Sequence, residues 1–180
     1  MATAYTDIHR ELIERSKDGN RKAQKQLYQL YSKAMFNICV RFMNNMAEAE
    51  DMLQEAFTEA FLKLDSFRQE SSFGAWLKRI VVNKCINEIK RRKAELVYTD
   101  EIADDYEDEV KPDDEDMNYE VSRVYEAIQQ LPDGYRVILS LYLLEGYDHT
   151  EIAQILNISE STSKSQYMRS KKKVLEILKN

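Results

Sequence analysis

Along most of this chain apolar side chains recur every three or four positions, the period of an amphipathic helix, and short clusters of turn residues interrupt them. Ile8, Leu12 and Ile13 predict a short helix over residues 6–16, ended by Gly19 and Asn20. Ala23, Leu27, Leu30, Tyr31, Ala34 and Ile38 predict a second from Arg21 to about Met43, where Asn44 and Asn45 break the pattern. Met52, Leu53, Ala56, Phe57, Ala60, Phe61 and Leu64 form the stripe of a third over residues 47–64. Residues 65–72 (DSFRQESS) hold turn formers and no apolar period, so they predict a loop in which Phe67 and Arg68 stand out. Phe73, Trp76, Leu77, Ile80, Val81, Ile86 and Ile89 then supply the buried side of a helix from Phe73 to about Lys93. The period lapses and resumes near Tyr119, where Val121, Val124, Tyr125, Ile128 and Leu131 give a helix stopped by Pro132, Asp133 and Gly134. Residues 135–144 are nearly all apolar and predict the buried centre of a small bundle, closed by Gly146.

The last periodic stretch, residues 148–173, has the layout of a helix-turn-helix. Ile152, Ala153, Ile155 and Leu156 form one apolar face. Asp148 and Glu151 stand at capping-box spacing before it. Asn157, Ile158 and Ser159 make the break: Asn tolerates a left-handed helix end, Ile158 plugs the angle between the helices and Ser159 caps the next one. The second helix has a polar start, Glu160, Ser161, Thr162, Ser163 and Lys164, and later cations in Arg169, Lys171, Lys172 and Lys173. That order suits a recognition helix, whose first side chains meet base edges while later cations meet phosphates.

With only four glycines and two prolines, the composition agrees with an all-α protein and against a turn-rich β fold. Charge changes the picture more. The chain carries a formal net charge of −6, which argues against a nucleic-acid partner until its distribution is considered. Between Glu95 and Glu120 there are thirteen acids and one base, a net of −12, so the remainder carries +6. Residues 94–118 therefore predict a flexible acidic linker, because like charges around Pro112 with few large apolar groups bury too little surface to offset the entropy of ordering. The chain divides into a helical domain over 1–93, the linker over 94–118 and a second helical domain over 119–180.

Two surfaces of the first domain stand out. Lys78, Arg79, Asn83, Lys84, Asn87, Lys90, Arg91, Arg92 and Lys93 cover the polar side of the fourth helix, with Glu88 as the opposing charge in that helix. Cations interleaved with Asn beside aromatic residues suit groove or single-strand recognition. On the third helix Asp51, Gln54 and Glu55 lie at spacings of three and four and form a compact acidic patch on which a basic partner surface can dock.

Catalysis and cofactor chemistry find no support. The two histidines, His9 and His149, pair with no nucleophile or ligand cluster, the glycines are scattered singly, and the linker carboxylates cannot be preorganised. Cys39 and Cys85 sit in apolar helical surroundings without metal-ligand spacing, as buried small hydrophobes of a reducing compartment do. The N-terminal stretch lacks an apolar signal region, and the longest apolar run, residues 137–144, is too short to span a bilayer. A soluble cytoplasmic protein without membrane insertion is expected.

The arrangement resembles a bacterial RNA polymerase sigma factor of the extracytoplasmic-function (ECF) group. Residues 49–67 (AEDMLQEAFTEAFLKLDSF) and 71–93 (SSFGAWLKRIVVNKCINEIKRRK) are similar to the family's second domain, and residues 131–178 to its fourth, in the family's order and without a third domain. The resemblance implies a transcription initiation factor that binds core polymerase, selects promoters and helps melt them. It implies that Asp51, Gln54 and Glu55 dock on the clamp helices of the largest subunit and that the fourth domain docks on the flap of the second-largest. It places the loop and helix start, with Phe67, Arg68, Ser71, Ser72, Phe73 and Trp76, where an unstacked base of the minus-ten element is held. Lys78, Arg79, Asn83, Lys84, Asn87, Lys90, Arg91 and Arg92 then contact duplex and melted strand. Ser159, Glu160, Ser161, Thr162, Ser163, Lys164, Gln166, Tyr167, Arg169 and Lys171 are implied to enter the major groove of the minus-thirty-five element. Where the family often has Thr-Val-Lys-Ser-Arg, this chain has Thr162, Ser163, Lys164, Ser165 and Gln166. Ser163 in place of an apolar residue implies looser packing of the recognition helix. Gln166 in place of a cation implies loss of a contact worth about 1–3 kcal/mol if bidentate to guanine. An anti-sigma factor or another recruiting partner is compatible with this layout. The competing readings are a free-standing helix-turn-helix regulator acting as a dimer and a non-DNA adaptor of two helical bundles; the discriminating features are the two basic surfaces and the acidic docking face, which a simple repressor does not need.

Overall fold

The computed structural model describes residues 8–96 and 119–179, and the chain separates into two compact units, residues 1–88 and 89–180. Among the described residues the regular structure is helical. Asn20 starts α2 (Arg21–Met43) by accepting from the backbone amides of Lys22 and Ala23 at 3.0 and 3.1 Å, after α1 (Arg10–Lys17) has ended. The two asparagines predicted as a break divide the work of a sharp corner. Asn44 takes a left-handed conformation (φ 54°) to end α2, and the Asn45 side chain caps α3 (Met46–Leu62) through the Glu48 amide at 3.1 Å. So short a corner leaves α3 packed along α2.

A single 3-10 turn, Leu64–Ser66, follows α3, and α4 (Phe73–Leu96) completes the unit. Leu27, Cys39, Phe42, Ala56, Leu64, Phe73, Leu77, Val81 and Cys85 are buried in its core, and both cysteines are free thiols.

Three sequence expectations change here. The first helix begins at Arg10, and Ile8, 87% exposed, contributes nothing to its buried side, which rests on Ile13. Leu30 and Ala34 face solvent, because the buried stripe of α2 runs through Leu27, Met35, Ile38, Cys39 and Phe42. α4 continues past residue 93, so the predicted linker does not begin at 94; its remaining residues, 97–118, lie outside the described ones.

In the second unit α5 (Tyr119–Gln129), α6 (Asp133–Leu143) and α7 (His149–Leu156) all pack on α8 (Glu160–Lys179). The centre is therefore shared: α6 is the most buried helix, but α8 is the spine. α6 also starts earlier than predicted, since Pro132 can precede a helix while Asp133 enters its first turn and pairs with Arg136. Arg136 is buried; its Nη1 donates to the Leu131 carbonyl at 2.7 Å, and burial pushes its pKa down against the opposing pull of Asp133. The core beneath comprises Ala127, Ile128, Leu131, Leu139 and Val174.

The helix-turn-helix forms as its caps predict. The Glu151 amide donates to Asp148 Oδ1 and the Asp148 amide to Glu151 Oε2, both at 2.8 Å. Asn157 is left-handed (φ 57°), the Ile158 amide reaches back to the Ala153 carbonyl at 3.0 Å, and Ser159 Oγ accepts from the Thr162 amide at 3.0 Å. No helix among the described residues is long and apolar enough to cross a membrane.

Candidate nucleic-acid interface

Trp76, Arg79, Ile80, Asn83, Lys84 and Asn87 recur at helical spacing along one side of α4 and line an open cleft of about 370 Å³. Glu59 of α3 and Lys63 just past its end, with Ser66 of the 3-10 turn, form its opposite wall. Arg79, Asn83, Asn87, Lys90 and Arg91 are exposed, while Lys78 and Arg92 are half-buried. A half-buried aromatic ring flanked by amide and cationic side chains can stack one base, pair with its edge and hold the neighbouring phosphates.

Several of the residues assigned to the minus-ten element have structural partners of their own. Phe67 and Phe73 are buried, with ring centroids 5.7 Å apart, and each packs on Trp76, at 5.3 and 5.7 Å. They form the floor on which Trp76 rests. Ser72 is the N-terminal cap of α4, its Oγ accepting from the Ala75 amide at 3.1 Å. Arg68 and Ser71 are exposed in the loop. That loop is braced from α1, a role the sequence did not disclose: Lys17 Nζ donates to the Phe67 carbonyl at 3.2 Å, and Gln69, with φ at 58°, donates from Nε2 to Glu14 Oε1 at 2.8 Å.

Lys84 is also engaged. Its ammonium lies 3.0 Å from Glu59 and 3.5 Å from Glu55, so the cationic face of α4 is opposed by acids of α3 as well as by Glu88. Sequence spacing within one helix could not reveal this, although the Glu59–Lys63 pair at the end of α3, 2.6 Å apart, is legible at i,i+4. Hydrogen bonds from Lys63 first, and then Lys84, hold the Glu59 carboxyl below its ordinary pKa, and the bond to Glu59 raises that of Lys84.

A depressed carboxylate contributes stability that is present above its unfolded pKa and is lost as pH falls through the folded one. Glu59→Gln should therefore lower the thermal midpoint at about pH 7, and its difference from the unsubstituted chain should shrink as pH falls below the ordinary carboxylate range. A difference independent of pH would refute the bridge as its source. The raised Lys84 adds stability present below its unfolded pKa and lost only as pH climbs through the folded one, on the alkaline side.

Asp51, Gln54 and Glu55 are all exposed on α3, as expected of a docking patch. Beside them the structure adds a shallow groove of about 360 Å³ between α2 and α3, lined by Tyr28, Ser32, Lys33, Phe36, Glu50, Leu53 and Gln54.

In the second unit Ser159, Glu160, Ser161, Thr162, Lys164, Ser165, Arg169 and Lys171 are exposed along α8, and Gln166 and Tyr167 are half-buried. Glu160 and Lys164 pair at 2.5 Å, and that bond lowers the Glu160 pKa. Ser163 is the correction. It is fully buried, and its Oγ lies 2.9 Å from His149 Nδ1, so it packs as a bonded polar group rather than as a gap.

A cationic cleft on one unit and a capped helix-turn-helix on the other are the parts that known families also carry. A sigma-70 region 2 model matches residues 27–95, and a sigma-70 region 4 model matches residues 122–174. The chain is 30% identical over 178 residues to the ECF RNA polymerase sigma factor SigW of Bacillus subtilis, covering 93% of this chain and 95% of that protein. It is 31% identical over 184 residues to the ECF RNA polymerase sigma-E factor of Escherichia coli K12, covering 97% and 95%. Among solved structures its fold is similar to the sigma factor RpoE in complex with the anti-sigma factor NepR from Bartonella quintana, with a TM-score of 0.64, 24% identity, and coverage of 86% of this chain and 96% of that one. CnrH in complex with the cytosolic domain of CnrY follows, with a TM-score of 0.57, 25% identity and coverage of 96% and 98%. The chain belongs to the ECF RNA polymerase sigma factors, which direct promoter-specific initiation of transcription.

Proposed function

We propose that the two domains read from the sequence divide initiation between them, residues 1–93 opening the minus-ten element and residues 119–180 anchoring the minus-thirty-five element. The observation that carries this reading is the cleft of α4, where half-buried Trp76 stands beside exposed Arg79, Asn83 and Asn87. Trp76 and the loop residues Arg68 and Ser71 receive an unstacked base, while Arg79, Lys90 and Arg91 hold the strand. Binding free energy then offsets an unstacking cost of a few kcal/mol per base, and no nucleotide hydrolysis or catalytic residue is required.

Ser159, Ser161, Thr162, Lys164 and Gln166 approach base edges in the major groove while Arg169 and Lys171 meet phosphates. Asp51, Gln54 and Glu55 dock on the clamp helices of the largest polymerase subunit, and the second unit docks on the flap of the second-largest. The factor works in the cytoplasm, where its polymerase is. CnrH was solved in complex with the cytosolic domain of CnrY, which supports a protein partner of anti-sigma type for this chain as well.

The test is run-off transcription with purified core enzyme. The chain should give transcripts from a promoter that core alone cannot open. Asp51→Lys with Glu55→Lys should lower co-purification with core at least about tenfold, because like charges then face the basic partner surface. Undiminished core binding would remove the acidic patch from the interface, and no transcript from a cognate promoter would overturn the reading as a whole.

A further inference from the structure

The first two turns of the recognition helix, residues 160–166, contain no apolar side chain, and Ser163 is the one residue among them that is buried. A helix end normally docks by an apolar stripe. Here the buried contact of that segment is a hydrogen bond, Ser163 Oγ to His149 Nδ1 at 2.9 Å. His149 is itself held on several sides. Asp148, immediately before it, is fixed by the capping box with Glu151, and the imidazole stacks on Tyr142 with centroids 4.6 Å apart and planes 17° apart. Tyr167, one turn beyond Ser163 on α8, meets both rings, at 5.6 Å from His149 and 4.5 Å from Tyr142.

We propose that His149 and Ser163 form a polar latch that sets the rotation of α8, making both of them positioning residues for promoter discrimination. The proposal rests on the reading of α8 as the recognition helix. A hydrogen bond weakens steeply with angle, whereas a dispersion contact tolerates sliding, so the latch defines rotation more sharply than an aliphatic residue at position 163 would. Ser161, Thr162, Lys164 and Ser165 flank Ser163 within one turn and are exposed, so their direction towards base edges follows from its seat. The apolar-to-serine departure at this position is thus paired with a histidine across the turn.

The experiment uses the full chain with core polymerase and two duplex probes: one enriched by the holoenzyme from a pool randomised upstream of the start site, and a scrambled duplex of equal length. The reading is the ratio of the two affinities. His149→Phe keeps a ring for stacking but removes Nδ1, and Ser163→Ala removes the hydroxyl. Each should lower the ratio about tenfold, and the double variant should lose no more than either single one. The apolar pair His149→Phe with Ser163→Val should stay at least about threefold below the unsubstituted chain, because a dispersion contact tolerates the sliding that the hydrogen bond forbids. An unchanged ratio in Ser163→Ala, additive losses in the double variant, or full recovery in the apolar pair would each overturn the latch. Lys164→Ala with Arg169→Ala separates the two ideas. Loss of affinity there alongside additive latch variants defeats the latch alone, whereas retained affinity defeats the recognition-helix reading and the latch with it.

Discussion

Arg79→Gln with Lys90→Gln is expected to lower affinity for a forked promoter probe by one to two orders of magnitude while leaving core polymerase binding unchanged. Both side chains are exposed, and with Asn83 and Asn87 they follow one another at spacings of four, four and three, a continuous stripe beside the cleft. The size of the effect follows from counterion release. Each phosphate contact contributes about 0.7 to 0.9 to the slope of log affinity against log salt, so losing both should flatten the slope by about 1.5. Trp76→Ala should behave differently: it removes stacking worth about 1–3 kcal/mol per base from the melted strand and leaves the salt slope intact. Titrating forked and fully duplex probes at several salt concentrations separates the two contributions. An unchanged slope in the Gln variant would show that the phosphate path runs elsewhere, along the loop of Arg68 or the far side of α4.

The helices were legible because their determinants are local. Asp148, Asn157 and Ser159 each act within a few residues, so the helix-turn-helix could be read directly, whereas Asn20, Asn44 and Asn45 were legible as breaks and only the structure shows Asn20 and Asn45 capping the helices that follow. The acidic patch and the cationic stripe were legible for the same reason, since spacing within one helix fixes which side chains share a face. What pairs across helices was not. Apolar period could not tell that Leu30 faces solvent while Cys39 is buried, because both positions fit a helical stripe until the partner helix is known. Glu55 and Glu59 reach Lys84 from another element, and Lys17 braces a loop fifty residues away in sequence. Ser163 shows the same failure in sharper form. Substitution of a polar for an apolar residue reads as lost packing until His149, fourteen positions earlier, is found opposite it.

The aromatic residues at the loop give the clearest separation between the sequence reading and the fold. Phe73→Ala is expected to destabilise the first unit by about 3–5 kcal/mol, a large fraction of the roughly 5–15 kcal/mol that holds a domain together. Phe73 is fully buried, and its ring lies 5.1 Å from Tyr31, 5.7 Å from Phe67 and 5.7 Å from Trp76, so truncation leaves a void among three rings. The site has little room to collapse: a Cβ at the adjacent Gly74 would already stand 3.0 Å from Tyr31 Cε1. At about 4–8 °C per kcal/mol for a unit of this size, the thermal midpoint should fall by more than about 10 °C. Phe73→Leu refills much of the volume, so it should cost less than half as much and retain binding to a forked probe. Denaturant unfolding paired with forked-probe binding decides between floor and contact. A Phe73→Leu variant that stays folded yet no longer binds the melted strand would mean that the ring leaves the core to meet a base, and the buried arrangement would then be only the resting state of the free protein.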